Sequence, residues 1–360
     1  MPYKIYVDKE SVEADDPKFF LDINQDSIEY IYDTTVPVDI CTSKKDNDKV
    51  DAKLYINSEH AFHAYPDQYN IICDQIKKWP SNTVFLWVGF KRGCNNKQIV
   101  YWDMCFNRTK AYYEQYSFNP DTQKNMFKHQ TQFLLPQLKP ADNKQKIFIA
   151  PCQTNCQNFM PDGYITRRQM ILDTLMPKHS DKGYIGNYNK NPDLFLYSHI
   201  DQLWIDDYDA ETLEKESRPP SYDWWGYAPP HNAYFTNTFL SIYAESVEYG
   251  STIIVTEKTY DPLIKGHFIL PYSTYGFVEH LKSIGIRFPD FIDYSYDQVV
   301  DNNLRTKMYL EEIKRLCDID LDTWKQYWND NFDIIQHNKR WFSNRPYQRL
   351  DLEQLIAMQG

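Results

Sequence analysis

Residues 239–246 read FLSIYAES and, after a short spacer, residues 253–270 read IIVTEKTYDPLIKGHFIL. This stretch predicts a strand, a loop, a second strand, a helix and a third strand, because short apolar runs rich in β-branched residues favour strands. Thr256 lies where the second strand is predicted to turn into the helix, and its hydroxyl can cap the helix N-terminus. Strands that alternate with helices in this way are typical of α/β proteins with parallel sheets.

The predicted junction between strand and helix carries an acid and a lysine directly after Thr256. The free N–H groups and partial positive charge of a helix N-terminus attract an anion, and Lys258 adds a full charge suited to a diphosphate. Glu257 offers two acceptor oxygens for the hydroxyls of a ribose. The junction can therefore hold a nucleoside diphosphate without a glycine-rich loop. An ordinary capped helix with solvated Glu257 and Lys258 is the alternative interpretation.

The same alternation extends over the rest of the chain. Strands are predicted at residues 3–7, 52–56, 83–90, 98–102 and 147–150, and helices at residues 66–79, 121–135, 165–176, 275–284, 297–317 and 321–336. Residues 136–146 are polar, contain two prolines and suit an interdomain linker. We therefore predict an α/β fold with two Rossmann-like, doubly wound domains facing a cleft, at residues 1–140 and 146–320. A helical segment, residues 321–360, is predicted to pack back on the first domain.

Composition narrows the class of protein. The net charge of −11 over 360 residues counts against a dedicated nucleic-acid binder. The longest apolar run falls far short of the roughly 20 residues that span a bilayer, and the N-terminus lacks an apolar signal segment. We therefore expect a cytoplasmic protein without a membrane span. The 29 tyrosines suit sugar binding, although AT-rich coding would enrich tyrosine equally.

The segment around Thr256 resembles the donor-site motif of the α1,3-fucosyltransferase family and its bacterial and phage relatives. The resemblance is carried by Glu245-Ser246, by residues 253–258 and by Gly266 before the next strand, although the family's asparagine between the glutamate and the serine is absent here. A second match upstream is similar to the family's Asn-Cys turn and to the helix start whose arginine contacts the donor phosphates. It comprises Asn155-Cys156 and Arg167-Arg168.

The resemblance implies a glycosyltransferase of the GT-B kind, inverting and independent of metal, which moves a fucosyl, hexosyl or pentosyl group. The donor would be a GDP- or UDP-sugar held by the C-terminal domain, with no other cofactor. Its expected contacts are Arg167, Arg168, Glu245, Thr256, Glu257 and Lys258.

Inversion requires a general base that deprotonates the acceptor hydroxyl as it attacks the anomeric carbon. We expect this base on the N-terminal, acceptor-side domain. Glu59 is the candidate, because it follows the strand predicted at residues 52–56 and the family has a glutamate after a comparable strand. His60 and His63 are alternatives, and a solvated loop position is an equally plausible role for Glu59.

The acceptor stays open between two classes. A glycan or polysaccharide is the first expectation. A hydroxylated base in DNA, as for phage-type glycosyltransferases, is the alternative, since residues 337–349 are basic with interleaved aromatics. A third interpretation is a non-catalytic protein that binds a nucleotide sugar or a glycan.

Overall fold

The computed structural model describes part of the chain, in two compact units. The described residues are 3–8, 28–33, 53–56, 83–87, 90–91, 99–101, 103, 105–106, 109–110, 138, 140–152, 167–187, 235–245 and 252–346. The first unit comprises Met1–Arg108, Tyr249–Val255 and Pro346–Gly360, and the second comprises Thr109–Glu248 and Thr256–Arg345. The domain boundaries predicted from the sequence stay predictions.

The first unit contains a five-stranded sheet in which every pair of neighbours is parallel. Its strands are β1 (Tyr3–Asp8), β2 (Ile28–Asp33), β3 (Lys53–Ile56), β4 (Thr83–Trp87) and β6 (Ile99–Tyr101), and a short β5 (Phe90–Lys91) lies outside it. The strand order is β2-β1-β3-β4-β6. This order reverses direction between β1 and β3, as in doubly wound sheets.

The second unit contains a four-stranded parallel sheet with the order β11-β9-β7-β8. Its strands are β7 (Phe148–Cys152), β8 (Gly183–Asn187), β9 (Leu240–Ala244) and β11 (Phe268–Tyr272). Among these strands the order reverses between β7 and β9. Parallel strands accompanied by helices confirm the predicted α/β class.

Helices whose bounds lie in the described ranges accompany the strands of the second unit. They are α1 (Arg167–His179), α2 (Glu257–Ile264), α3 (Phe277–Ser283), α4 (Asn302–Asp318), α5 (Leu321–Asp330) and α6 (Phe332–Asn344). The prediction of a single helix at residues 321–336 is wrong, because α5 ends at Asp330 and α6 begins at Phe332. No helix in these ranges is long and apolar enough to cross a membrane.

The strand predicted at residues 253–255 does not join the parallel sheet. It forms the short β10 (Thr252–Ile253), which pairs antiparallel with β5 in the first unit. The reason is that β11 pairs directly with β9, from Phe268 opposite Leu240 to Tyr272 opposite Ala244. No position between these two strands is left for β10.

Strand β8 was not predicted, because its sequence GYIGN contains two glycines and glycine disfavours strands. Gly183 lies opposite Phe148 on β7. A Cβ atom at position 183 would collide with the Phe148 ring. The glycine therefore lets the aromatic ring lie against the backbone of the neighbouring strand.

Tyrosine hydroxyls cover the outer edge of β11, which ends the described sheet. The Tyr294 hydroxyl donates to the carbonyl of Ile269 at 2.9 Å, and the Tyr296 hydroxyl donates to the carbonyl of Pro271 at 2.6 Å. Alternate residues of a strand direct their carbonyls to the same side, so both acceptors face away from β9. Pro271 itself lacks an N–H, which suits an edge strand.

We expect Tyr296→Phe to lower the free energy of unfolding by about 1–3 kcal/mol, because it leaves the Pro271 carbonyl buried without its donor. Denaturant unfolding measures the change. Tyr327→Phe is the control, since Tyr327 is half-buried and stacks on Phe291 through its ring; its cost should stay within about 0.5 kcal/mol. Equal costs in the two variants would contradict a specific role for the hydroxyl of Tyr296.

Candidate functional site

The candidate site lies at the carboxyl edge of the second sheet, outside β7 and β9. Ligands of doubly wound sheets bind beyond the carboxyl ends of the strands, where the strand order reverses. Helix α1 follows β7, and Glu245 and α2 follow β9. All six predicted donor-binding residues are therefore attached to the two strands on either side of the reversal.

Glu245 joins the end of β9 to the start of α2. Its side chain is fully buried. One carboxylate oxygen accepts hydrogen bonds from the Thr256 N–H at 3.2 Å and from the Thr259 hydroxyl at 2.7 Å. The other oxygen accepts from the Thr256 hydroxyl at 2.5 Å. These three donors hold the first turn of α2 on the sheet, which gives Glu245 a positioning role besides the ligand contact predicted for it.

Burial raises the pKa of the Glu245 carboxyl above its ordinary value. The nearby ammonium group of Lys258 and the hydrogen bonds from Thr256 and Thr259 act in the opposite direction and do not overcome the burial. A hydrogen-bonded chain extends further into the core, because the Thr259 hydroxyl also lies 2.7 Å from the hydroxyl of Tyr243. Since Thr259 donates to Glu245, Tyr243 must donate to Thr259.

Thr256 caps α2, as the sequence predicts. Its hydroxyl oxygen accepts a hydrogen bond from the Lys258 N–H at 3.3 Å while its proton goes to Glu245. Lys258 and Glu257 form an ion pair with 2.8 Å between Nζ and Oε1, and their side chains are 20% and 24% exposed. The Lys258 ammonium also lies 3.4 Å from the Thr256 hydroxyl oxygen.

Arg167 and Arg168 both lie buried in the first turn of α1. The Arg167 Nε–H donates to the hydroxyl of Tyr272 at 3.4 Å, at the end of β11. The start of α1 thus reaches the carboxyl edge that also holds Glu245, whose N–H donates to the Tyr272 carbonyl at 2.8 Å. Two guanidinium groups buried at a helix start favour a nearby negative charge, because the helix dipole adds a positive potential there.

The start of α3, which follows β11, is closed to an external anion. The buried carboxylate of Asp297 accepts the N–H groups of Val278 and Glu279 at 3.0 Å and 3.2 Å. This side chain already supplies the negative charge that a helix N-terminus attracts. An external anion at this edge would therefore meet the N-terminus of α1 or α2 rather than that of α3.

Three participants at this edge were missed by the sequence analysis, namely Thr259, Tyr272 and Asp297. Thr259 could have been found, because it shares the first turn of α2 with Thr256. Tyr272 and Asp297 act on residues distant in the sequence, so no local pattern indicates them.

The predicted base Glu59 lies outside the described residues, as do the alternatives His60 and His63. Within those residues, no group of three or more His, Cys, Asp or Glu side chains could hold a metal ion.

We expect wild-type protein to lose stability relative to Glu245→Gln as the pH rises from about 4 to neutrality. A carboxyl whose pKa is raised on folding stabilises the fold fully below its unfolded pKa, and this contribution is lost as the pH rises through the folded pKa. Glutamine does not titrate, so the difference in unfolding free energy between the two proteins isolates the carboxyl. A difference that instead favours wild type increasingly with pH would mean that Lys258 and the hydrogen bonds outweigh burial.

Comparisons of the chain with protein-family models, with curated proteins and with solved structures found no match.

Proposed function

We propose that this chain is a glycosyltransferase that moves a sugar from a nucleotide-sugar donor to an acceptor hydroxyl. The donor diphosphate is bound at the carboxyl edge of the second sheet, between the starts of α1 and α2. The observation that carries the proposal is the position of Arg167, Arg168 and Lys258. They follow the two strands where the sheet order reverses.

The charges at this edge suit a leaving group that gains negative charge. Departure of the nucleoside diphosphate is stabilised by cations and N–H donors aimed at the phosphates. Guanidinium groups bind phosphate oxygens through two parallel hydrogen bonds, and the ammonium group of Lys258 adds a mobile charge. The proposed transfer needs no metal ion because these groups perform the neutralisation.

The ion pair between Glu257 and Lys258 is suited to exchange. Both side chains are partly exposed, and ion pairs in contact with solvent contribute about 0–1 kcal/mol. Lys258 can therefore leave Glu257 and bind the diphosphate with little loss of free energy. The Glu257 carboxylate then becomes available to the ribose hydroxyls, as the resemblance to α1,3-fucosyltransferases implies.

The proposal includes the GT-B arrangement and a general base on the first unit. Support comes from the first sheet, whose order also reverses, between β1 and β3. Glu59 follows Ile56, the last residue of β3, by three positions in the sequence. Catalytic groups of such sheets lie after the strands next to the reversal. The acceptor class favoured by the net charge of −11 is a glycan rather than DNA.

We expect a nucleoside diphosphate such as GDP or UDP to raise the melting temperature of the wild-type protein, in EDTA as well as in buffer alone. Lys258→Ala should weaken its binding about tenfold to a hundredfold, because a hydrogen bond to a charged group is lost. A thermal-shift panel of GDP, UDP, ADP, CMP and their sugars identifies the ligand, and calorimetry measures the affinity.

Lys325→Ala is the matched control. Lys325 pairs with Asp322 at 2.9 Å and its side chain is 27% exposed, close to the 2.8 Å and 20% of Lys258. This variant should bind the nucleotide as wild type does. Absence of any nucleotide effect on wild type, or equal loss in the two variants, would count against the proposed donor site.

We expect Glu59→Gln to abolish sugar transfer while the donor affinity stays within about twofold of wild type, since a general base acts only on the acceptor proton. Product formation is measured with the donor identified above and a panel of glycan acceptors, and donor affinity is measured by calorimetry. Turnover like that of wild type would remove Glu59 from the mechanism and leave His60 and His63 to be tested in the same way.

A further inference from the structure

Tyr272 connects three elements at the carboxyl edge of the second sheet. It is the last residue of β11, its side chain is fully buried, and its hydroxyl meets Arg167 of α1 and Thr306 of α4. Two guanidinium groups lie over the ring, with 5.8 Å from its centre to the Arg167 Cζ and 5.5 Å to the Arg305 Cζ. Cation–π attraction of this kind holds both groups against the ring.

The protons around the hydroxyl of Tyr272 can be assigned from the distances. The Thr306 hydroxyl donates to the Asn302 carbonyl at 2.6 Å, which uses its only proton. The 2.8 Å bond between the two hydroxyls must then be donated by Tyr272. The alternative, in which Tyr272 donates to the Asn302 carbonyl, has a distance of 3.5 Å and is weaker.

With its proton directed to Thr306, the Tyr272 oxygen presents its lone pairs to the Nε–H of Arg167. Tyr272 thereby holds Arg167 both through the hydrogen bond to its Nε–H and through cation–π attraction to the ring. Preorganised arginine donors bind phosphate more tightly than mobile ones, because less side-chain entropy is lost on binding.

We propose that Tyr272 is a positioning residue for the nucleoside diphosphate, acting through Arg167. This inference rests on the proposed function and adds a residue from β11 to a site otherwise built after β7 and β9. Tyr272 holds the Arg167 guanidinium in the orientation that binds the diphosphate, and it does not touch the ligand itself.

Tyr272→Phe keeps the ring and removes only the hydroxyl, so it tests this role. We expect it to weaken binding of the nucleoside diphosphate identified in the thermal-shift panel by about threefold to tenfold, because the hydrogen bond that is lost is long, at 3.4 Å. Tyr296→Phe is the matched control, because it also removes a buried hydroxyl bonded next to β11. It loses stability, yet it should bind the nucleotide within about twofold of wild type.

A double-mutant cycle separates positioning from a general loss of stability. Arg167→Lys removes the Nε–H group that donates to the Tyr272 hydroxyl. If Tyr272 acts through that group, Tyr272→Phe should have no further effect on affinity in the Arg167→Lys background. Thr306→Val, which removes the acceptor of the Tyr272 proton, should also weaken binding, and it serves where Tyr272→Phe does not fold.

The outcomes distinguish the two proposals. Wild-type protein that binds none of the nucleoside diphosphates overturns the proposed function. Wild-type binding that is unchanged in Tyr272→Phe and in Thr306→Val, or losses that add fully in the double variant, overturns the role of Tyr272 and leaves the proposed function standing.

Discussion

The buried carboxylate of Glu245 is the interaction on which the candidate site depends. A carboxylate taken out of water is costly unless it is hydrogen-bonded, and here the N–H and hydroxyl of Thr256 and the hydroxyl of Thr259 provide three donors. The same bonds fix where α2 begins relative to β9. The hydroxyl proton of Thr256 is donated to Glu245. The lone pairs of the Thr256 hydroxyl oxygen therefore accept from the N–H of Lys258, which caps α2, and from the Lys258 ammonium group. The position of the Lys258 ammonium group thus depends on the buried Glu245 carboxylate.

The high tyrosine content receives a structural explanation in the second unit. Tyr294 and Tyr296 donate to carbonyls at the outer edge of β11, and Tyr272 orders the residues at its carboxyl end. A phenol fills the core with its ring and satisfies a backbone acceptor with its hydroxyl. An edge strand that is satisfied by side chains presents fewer free groups to another chain. Within the described residues, these tyrosines therefore stabilise the sheet.

Most strands of the two sheets were predicted from the sequence, but the contacts between elements distant in the chain were not. Strands β9 and β11 are apolar runs and α2 has a recognisable cap, so local patterns were sufficient. Strand β8 was missed because its glycine is explained only by the Phe148 ring opposite it. The position of β10 depends on which strand pairs with β9, and local sequence patterns do not determine that pairing. Arg167 was predicted from the resemblance of its helix start to that of the α1,3-fucosyltransferases, whereas its partner Tyr272 lies 105 residues away.

The two sheets share one strand order over their first four strands, yet the sequences that follow the strands next to the reversal differ in charge. The second sheet has Arg167, Arg168 and Lys258 there. In the first sheet, β1 ends at Asp8, and residues 8–16 read DKESVEADD, with five carboxylates and one lysine. β3 is followed by Glu59. Acidic residues repel a diphosphate, whereas a general base must be an acceptor of protons. This difference in sequence is consistent with the proposed donor site on the second sheet and with a proposed base that follows β3.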